Sequence, residues 1–290
     1  MAENLPAEEP LGLRVSAILI ALNQIEPLRK AVAALEKSID RERLEILVVD
    51  LGSDDGSAQI DTEFPGVVML RLPHNFGATK AMNIGTRTAK ADLMFYLSPD
   101  VEVAPDTVAK LAEKLEGDSD AAAVCPLLVD EAGKPASRIY KLPTAESLKG
   151  ELARVPIDVD QESVTVEYPG RDAVLVRKQF IKGMNYFDER FGQFWADADL
   201  AIQIRRGLKK IRLYPSIAAI RHADTSPSAE KGLLAADRAG GAASLIGKYY
   251  GFFAGLGYRV GAALKALVRF DLKQFIALVS GAKVDGSQEG

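Results

Sequence analysis

The sequence predicts an α/β protein, a Rossmann-like α/β/α sandwich on a mainly parallel sheet, with a helical tail at its C-terminal end. Three observations lead there. In the first third of the chain, short apolar runs alternate with segments of helical periodicity, the pattern of βαβ units. The composition, 48% hydrophobic and 26% charged, is that of an ordinary globular chain. Beyond about residue 240 the chain turns apolar, basic and rich in Gly and Ala, with helical spacing. A length of 290 residues accommodates one large α/β domain with a small C-terminal addition.

Residues 15–22 read as a buried strand, and 27–37 as a helix with Leu28, Val32 and Leu35 on one face. A second strand, 44–49, ends at Asp50 and the turn Gly52-Ser53-Asp54-Asp55-Gly56. Residues 67–72 form a third strand, 77–89 a helix, and 93–97 a fourth strand that stops at Ser98-Pro99-Asp100. The second half is less regular. Strands are expected at 164–168, 173–176 and 211–214, the last before Pro215, with a helix at 199–206 ended by Gly207. In parallel sheets ligands bind beyond the carboxyl ends of the strands, which places Asn23, residues 50–55 and 98–100 on one rim.

Several function classes are excluded. The net charge is −4, from 36 basic and 40 acidic residues, so no broad nucleic-acid surface is expected. Two histidines and one cysteine do not make a zinc finger. Cys125 lies in the apolar run 121–129 and reads as a buried strand thiol. No G-x-G-x-x-G or P-loop follows the first strand. Residues 1–12 are acidic and Pro-containing, unlike a signal peptide, so a cytoplasmic location is expected.

The acidic turn after the fourth strand is the first candidate for chemistry. A carboxylate at a strand terminus suits Mg²⁺ or Mn²⁺, because phosphate oxygens can complete the shell around one or two protein ligands. The alternative for Asp100 is a Pro-containing turn whose acid caps the next segment.

Beyond these residues, a series of motifs appears in order. Glu45-Ile46-Leu47-Val48-Val49-Asp50 precedes the Gly52–Ser57 turn, and His74-Asn75-Phe76-Gly77 precedes Ala81-Met82-Asn83-Ile84-Gly85. Residues 93–103 follow, then Tyr186-Phe187-Asp188-Glu189-Arg190-Phe191, Trp195-Ala196-Asp197-Ala198-Asp199-Leu200 and Ile220-Arg221-His222. Over residues 14–225 the chain resembles family 2 glycosyltransferases of the GT-A type, especially the bacterial rhamnosyltransferase-like branch.

The resemblance implies a nucleoside-diphosphate sugar donor, a divalent cation (Mg²⁺ or Mn²⁺), inversion at the anomeric carbon, and a polysaccharide or lipid-linked acceptor. Ala21, Leu22, Asn23 and Asp50 match the positions that hold the base and ribose. Gly77, Lys80 and Asn83 match the diphosphate side, Lys80 having a solvated helix-surface lysine as its alternative. Ser98, in the metal turn, is a further donor-binding candidate, Asp100 matches the metal ligand, and His222 the later His that completes the metal or diphosphate contacts. Asp197 matches the general base that takes the acceptor's proton, with helix capping as its structural alternative. Asp199 reads as structural. Trp195 is a candidate platform for the acceptor ring, with core packing the alternative.

Three positions depart from the pattern. Leu51 stands where an Asp or Asn usually follows Asp50, Ser98-Pro99 leaves Asp100 as the sole acid of the turn, and Ala196 replaces a Glu. They motivate an alternative, a weakly active or non-catalytic binding protein on the same scaffold. A sugar-phosphate nucleotidyltransferase would need a Gly-rich, Arg-bearing loop after the first strand, and residues 22–27 have neither residue.

The expected organisation is a flexible N-terminus at 1–12, a catalytic domain at 13–228, a helical region at 229–284 and a flexible tail at 285–290. Within residues 245–284 Lys248, Arg259, Lys265, Arg269, Lys273 and Lys283 stand against one acid, Asp271. No stretch reaches the roughly 20 apolar residues of a membrane span. A basic amphipathic tail suits peripheral attachment to the inner face of the plasma membrane, and packing on the catalytic domain or in a homodimer uses the same residues.

Overall fold

The structure, a computed structural model, describes residues 12–222 and 231–286. The expected domain junction at 228–229 lies outside them, as do most of the two expected flexible ends. Among the described residues nine strands form one sheet: β1 (Val15–Ala21), β2 (Leu44–Asp50), β3 (Val67–Arg71), β4 (Leu93–Leu97), β5 (Val101–Val103), β6 (Ala121–Val129), β7 (Val164–Val166), β8 (Ala173–Arg177) and β9 (Lys210–Arg221). The helices are α1 (Ile25–Glu36), α2 (Ile60–Glu63), α3 (Ala78–Thr88), α4 (Thr107–Gly117), α5 (Lys178–Gly183), α6 (Ala196–Arg206), α7 (Gly232–Tyr250), α8 (Phe252–Val268) and α9 (Leu272–Ser280).

The sheet order is β3-β2-β1-β4-β8-β6-β9-β5, with β7 also on β9. From β3 to β4 every pairing is parallel, as the βαβ pattern requires. Beyond β4 the sheet is mixed: β8 runs antiparallel to both β4 and β6, while β6 and β9 are parallel. The strands β1, β2 and β4 are buried almost throughout, so both sheet faces are covered and hydrophobic runs replace alternation. One core layer packs α1 and α4 on one face, through Leu28, Val32, Leu35, Leu111 and Leu115. The other packs α3 and α6 on the opposite face, through Met82, Leu200 and Ile204.

Two differences from the sequence expectations bear on the site. The last strand does not stop before Pro215 but continues to Arg221. The register against β6 jumps from Pro126↔Tyr214 to Leu127↔Ala218, so Pro215 sits in an irregularity where a missing N–H costs no ladder bond. That extension brings Arg221 opposite Val101 of β5. The second difference is at α6, which starts at Ala196 rather than Asp199. Asp197 therefore does not cap this helix: it lies in the first turn, and Trp195 precedes it in a left-handed conformation with φ of 78°.

The C-terminal helices join the catalytic sheet through specific bonds. Asp199, fully buried, binds Tyr249 Oη at 2.5 Å and Lys248 Nζ at 2.9 Å. Buried Asp237 of α7 accepts from the amides of Gln193 at 2.7 Å and Val284 at 2.9 Å. Asp199 thus has the structural role expected of it.

Candidate active site

The carboxyl ends of β1, β2 and β4 open onto a cavity of about 260 Å³, lined there by Leu22, Leu51 and the turn Ser98-Pro99-Asp100. Arg171 and Gln193 enter from the second half of the chain, and Arg221 and His222 from the end of β9. A much smaller cavity of about 10 Å³ adjoins it, lined by Asp197, Gly170 and Leu200. Met82, Tyr96 and Arg171 line both, so the cavities adjoin, with Asp100 on the larger and Asp197 on the smaller.

Charge in the larger cavity is organised around Arg221, whose side chain is only 9% exposed. Its guanidinium binds Asp172 at 2.5 Å and Asp100 Oδ2 at 3.3 Å. Burial raises the Asp172 carboxyl above the usual range, the charge of Arg221 lowers it, and the neighbouring Asp100 raises it again. The second Asp100 oxygen, Oδ1, is buried and has no hydrogen-bond partner. A buried carboxylate oxygen left bare is costly unless something binds it, and a cation is a fitting occupant. Asp50 carries a second bare oxygen. Its Oδ2 accepts from the amides of Gly52 and Ser53, while Oδ1 is buried and unmatched.

His222 is placed on the cavity wall, its amide bonded to the Asp100 carbonyl at 2.9 Å. Its ring is already engaged on both sides, Nδ1 with Glu131 at 2.8 Å and Nε2 with Glu102 at 3.0 Å. The bonds to Glu131 and Glu102 raise its pKa against the opposing effect of burial, which favours imidazolium over a metal-binding ring. Among the described residues no group of three or more His, Cys, Asp or Glu side chains is arranged to hold a metal. A cation here would rest on Asp100, with ligand phosphates and water completing its shell.

Asp197 accepts a hydrogen bond from the phenol of Tyr168 at 2.9 Å. Burial, and then the charge of Asp197, push the Tyr168 hydroxyl well above its ordinary value, so it remains a donor and fixes one carboxylate oxygen. The strained backbone at Trp195 directly before this turn is of the kind that accumulates at functional sites.

The other expected site residues are placed as follows. Ala21 is buried in the sheet, and the Asn23 side chain accepts from the Asp54 amide, tying the first rim loop to the second. Gly77 has φ of 81°, and a Cβ there would stand 2.5 Å from the Val284 carbonyl, so glycine is required by chain packing. Asn83 donates to the Phe187 carbonyl and to Glu189 and accepts from the Phe187 amide. Those bonds make it a clamp on the 187–189 segment. Lys80 lies over the Phe76 ring at 4.3 Å, and the Trp195 indole donates to the Arg238 carbonyl at 2.8 Å. None of Gly77, Lys80, Asn83 and Trp195 lines the cavity, because each is bonded or packed elsewhere.

Arg171, Arg221 and Gln193 had not been singled out. The motif order contained Arg221 without giving it a role, and a charged Gly170-Arg171-Asp172 turn between two predicted strands was the available signal for the first. Asp188 supports this region indirectly. Burial raises its carboxyl, but hydrogen bonds from Arg190 and Lys248 outweigh that and hold it at about 2. Relative to an ordinary aspartate near 3.9, the depressed value adds roughly 2 kcal/mol of stability, present above that pH and lost as pH falls toward 2. Asp188→Asn is expected to lower the denaturation midpoint at pH 7 and to match the parent chain near pH 2, as denaturant titrations at the two pH values would check.

Residues 16–159 match the sequence profile described as Glycosyl transferase family 2. That part of the chain is similar to family 2 glycosyltransferases. An uncharacterized glycosyltransferase of Bacillus subtilis, YfnE, is 27% identical over 184 residues, 62% of this chain and 43% of that protein. An uncharacterized glycosyltransferase of Mycobacterium tuberculosis is 35% identical over 105 residues, 36% of this chain and 40% of its own. The undecaprenyl-phosphate 4-deoxy-4-formamido-L-arabinose transferase of Aeromonas hydrophila is 27% identical over 106 residues, 34% of this chain and 32% of its own. The chain thus spans less than half the length of these curated relatives. Among solved structures, GalNAc-T7 with UDP, GalNAc and Mn²⁺ aligns with a TM-score of 0.60 at 17% identity, covering 74% of this chain and 45% of that one. The fold is accordingly of the GT-A type.

Proposed function

We propose that the protein transfers a sugar from a nucleoside-diphosphate donor to a glycan or lipid-linked acceptor with inversion at the anomeric carbon, as in the rhamnosyltransferase-like branch. The observation that carries this reading is the pair of carboxylates on two adjoining cavities, Asp100 with a bare buried oxygen and Asp197 hydrogen-bonded by Tyr168. In a single displacement the acceptor oxygen bonds to the anomeric carbon as the bond from that carbon to the diphosphate oxygen breaks. Asp197 takes the proton from the acceptor hydroxyl. Asp100 would hold the divalent cation, which supplies Lewis-acid stabilisation of charge on the departing diphosphate. Arg171, on the wall common to both cavities, would pair with the same phosphates. Leu51 gives this part of the cavity an apolar wall.

The test is a thermal-shift series with UDP, dTDP, GDP and CMP, each with and without Mn²⁺. Stabilisation by one nucleotide that increases with Mn²⁺ is the expected result. Arg171→Ala should weaken that binding about tenfold or more, the worth of a lost charge-assisted hydrogen bond. A response to none of the nucleotides would favour the second reading, a non-catalytic binding protein, to which Leu51 on the cavity wall and Ala196 in the first turn of α6 already point.

A further inference from the structure

The C-terminal helices are packed in the opposite sense to those of a water-soluble domain. Helix α8 buries its small residues, Gly255, Ala263 and Ala266, and turns its large ones outward. A Cβ on Gly255 would stand 2.5 Å from the Ala243 carbonyl, so α7 and α8 meet backbone to backbone. Phe252, Leu256, Val260, Leu264 and Leu267 recur at intervals of three and four and are all exposed, forming one stripe along α8. Phe253, Val268 and Phe270 extend it, at 83%, 78% and 88% exposure. On α9, Leu272, Ile276 and Val279 continue the same character. A contiguous apolar face of this kind marks a binding surface.

Charge identifies what it binds. Of the six cations of residues 245–284, three turn inward: Lys248 to Asp199 and Asp188, Arg259 to the Leu278 carbonyl, and Lys283 to the Glu189 carbonyl. Lys265, Arg269 and Lys273 remain exposed, on the flanks of the apolar stripes by helical position. Residues 252–280 carry four basic side chains against one acid, within a chain of net charge −4. No described helix is long and apolar enough to cross a membrane, so the face lies on a surface rather than spanning it.

We infer that the outer face of α8 and α9 docks on an anionic lipid bilayer, with the phenylalanines and aliphatic side chains among the acyl chains and the three cations at the headgroups. Bilayer and stripe are complementary in both respects. Paired with a second copy through the same face, the protein would bring its basic flanks against their own kind, which opposes association. Docking stands apart from the sugar-transfer reading, since binding to lipid needs no nucleotide.

The test is co-sedimentation of the full chain with vesicles of equal parts phosphatidylcholine and phosphatidylglycerol, beside vesicles of phosphatidylcholine alone. The expected result is binding to the anionic vesicles that weakens with added salt and is much poorer to the neutral ones. Replacing Phe252, Phe253 and Phe270 by Ser should reduce affinity about tenfold for each side chain. The pair Lys265→Glu and Arg269→Glu, an independent variant on exposed positions, should cost about fivefold per charge on anionic vesicles. No binding to either vesicle, equal binding to both, or binding that neither variant reduces would overturn the inference. So would sedimentation equilibrium showing a dimer that the Ser variant dissociates, which would assign the face to a second copy.

Discussion

Asp197→Asn is expected to reduce sugar transfer by about 10²–10⁴-fold while leaving nucleotide binding nearly unchanged, because the amide keeps the size of the carboxylate and cannot take a proton. The side chain sits in the first turn of α6, and the Tyr168 phenol at 2.9 Å fixes one of its oxygens. The amide oxygen of an Asn can accept the same bond, so the substitution removes basicity with little other change. Released nucleoside diphosphate, followed with the donor whose nucleotide stabilises the protein, gives the rate. The thermal shift on the same variant shows whether the donor still binds. Turnover at the parental rate would exclude Asp197 as the base. Loss of nucleotide binding together with turnover would instead make it a structural residue of the cleft.

Asp100→Ala should abolish the Mn²⁺-dependent part of nucleotide binding, an effect of about a hundredfold or more in metal affinity, since even outer-shell losses reach 10–100-fold. The fold should tolerate the change. Arg221 keeps its shorter ion pair to Asp172 at 2.5 Å, and the bare Oδ1 contributes no bond within the protein. Metal titrations in the presence of the nucleotide provide the measurement. A variant whose titration is unaltered would show that the cation, if one binds, is held elsewhere. The parallel variant His222→Ala discriminates further: with both ring nitrogens bonded to Glu131 and Glu102, its removal should leave the metal titration unmoved. A large effect there would mean that the ring turns away from those carboxylates when ligand arrives.

The C-terminal helices illustrate how an amino-acid pattern becomes specific only when packed. Residues 245–284 contain six cations and many large apolar residues at helical spacing, which fits a membrane face, a dimer face or a buried layer equally. Which cations turn inward depends on partners supplied by distant segments. Lys248 meets Asp199 on α6, and Lys283 reaches a carbonyl in the segment clamped by Asn83. What remains outside, Lys265, Arg269 and Lys273 beside an apolar stripe, is decided by the Gly255 contact that brings α8 against α7.

Sequence alone determined the parallel half of the sheet, because strands buried on both faces are written as uninterrupted apolar runs and the helices between them by their period. It also determined the cleft rim after β1, β2 and β4, since carboxyl ends follow from strand direction. The second half was less legible. Here β8 and β9 join the sheet from far along the chain, and Pro215, normally a strand breaker, is absorbed at a register jump that only the partner strand β6 defines. Tertiary structure alone decided which polar side chains serve the cleft and which serve the scaffold. Asn83 and Trp195 have their hydrogen bonds satisfied by the 187–189 segment and by α7, whereas Arg171 and Arg221 are delivered to the cavity. A side chain's role depends on what satisfies its donors, acceptors and charge, and those partners can lie more than 100 residues away along the chain.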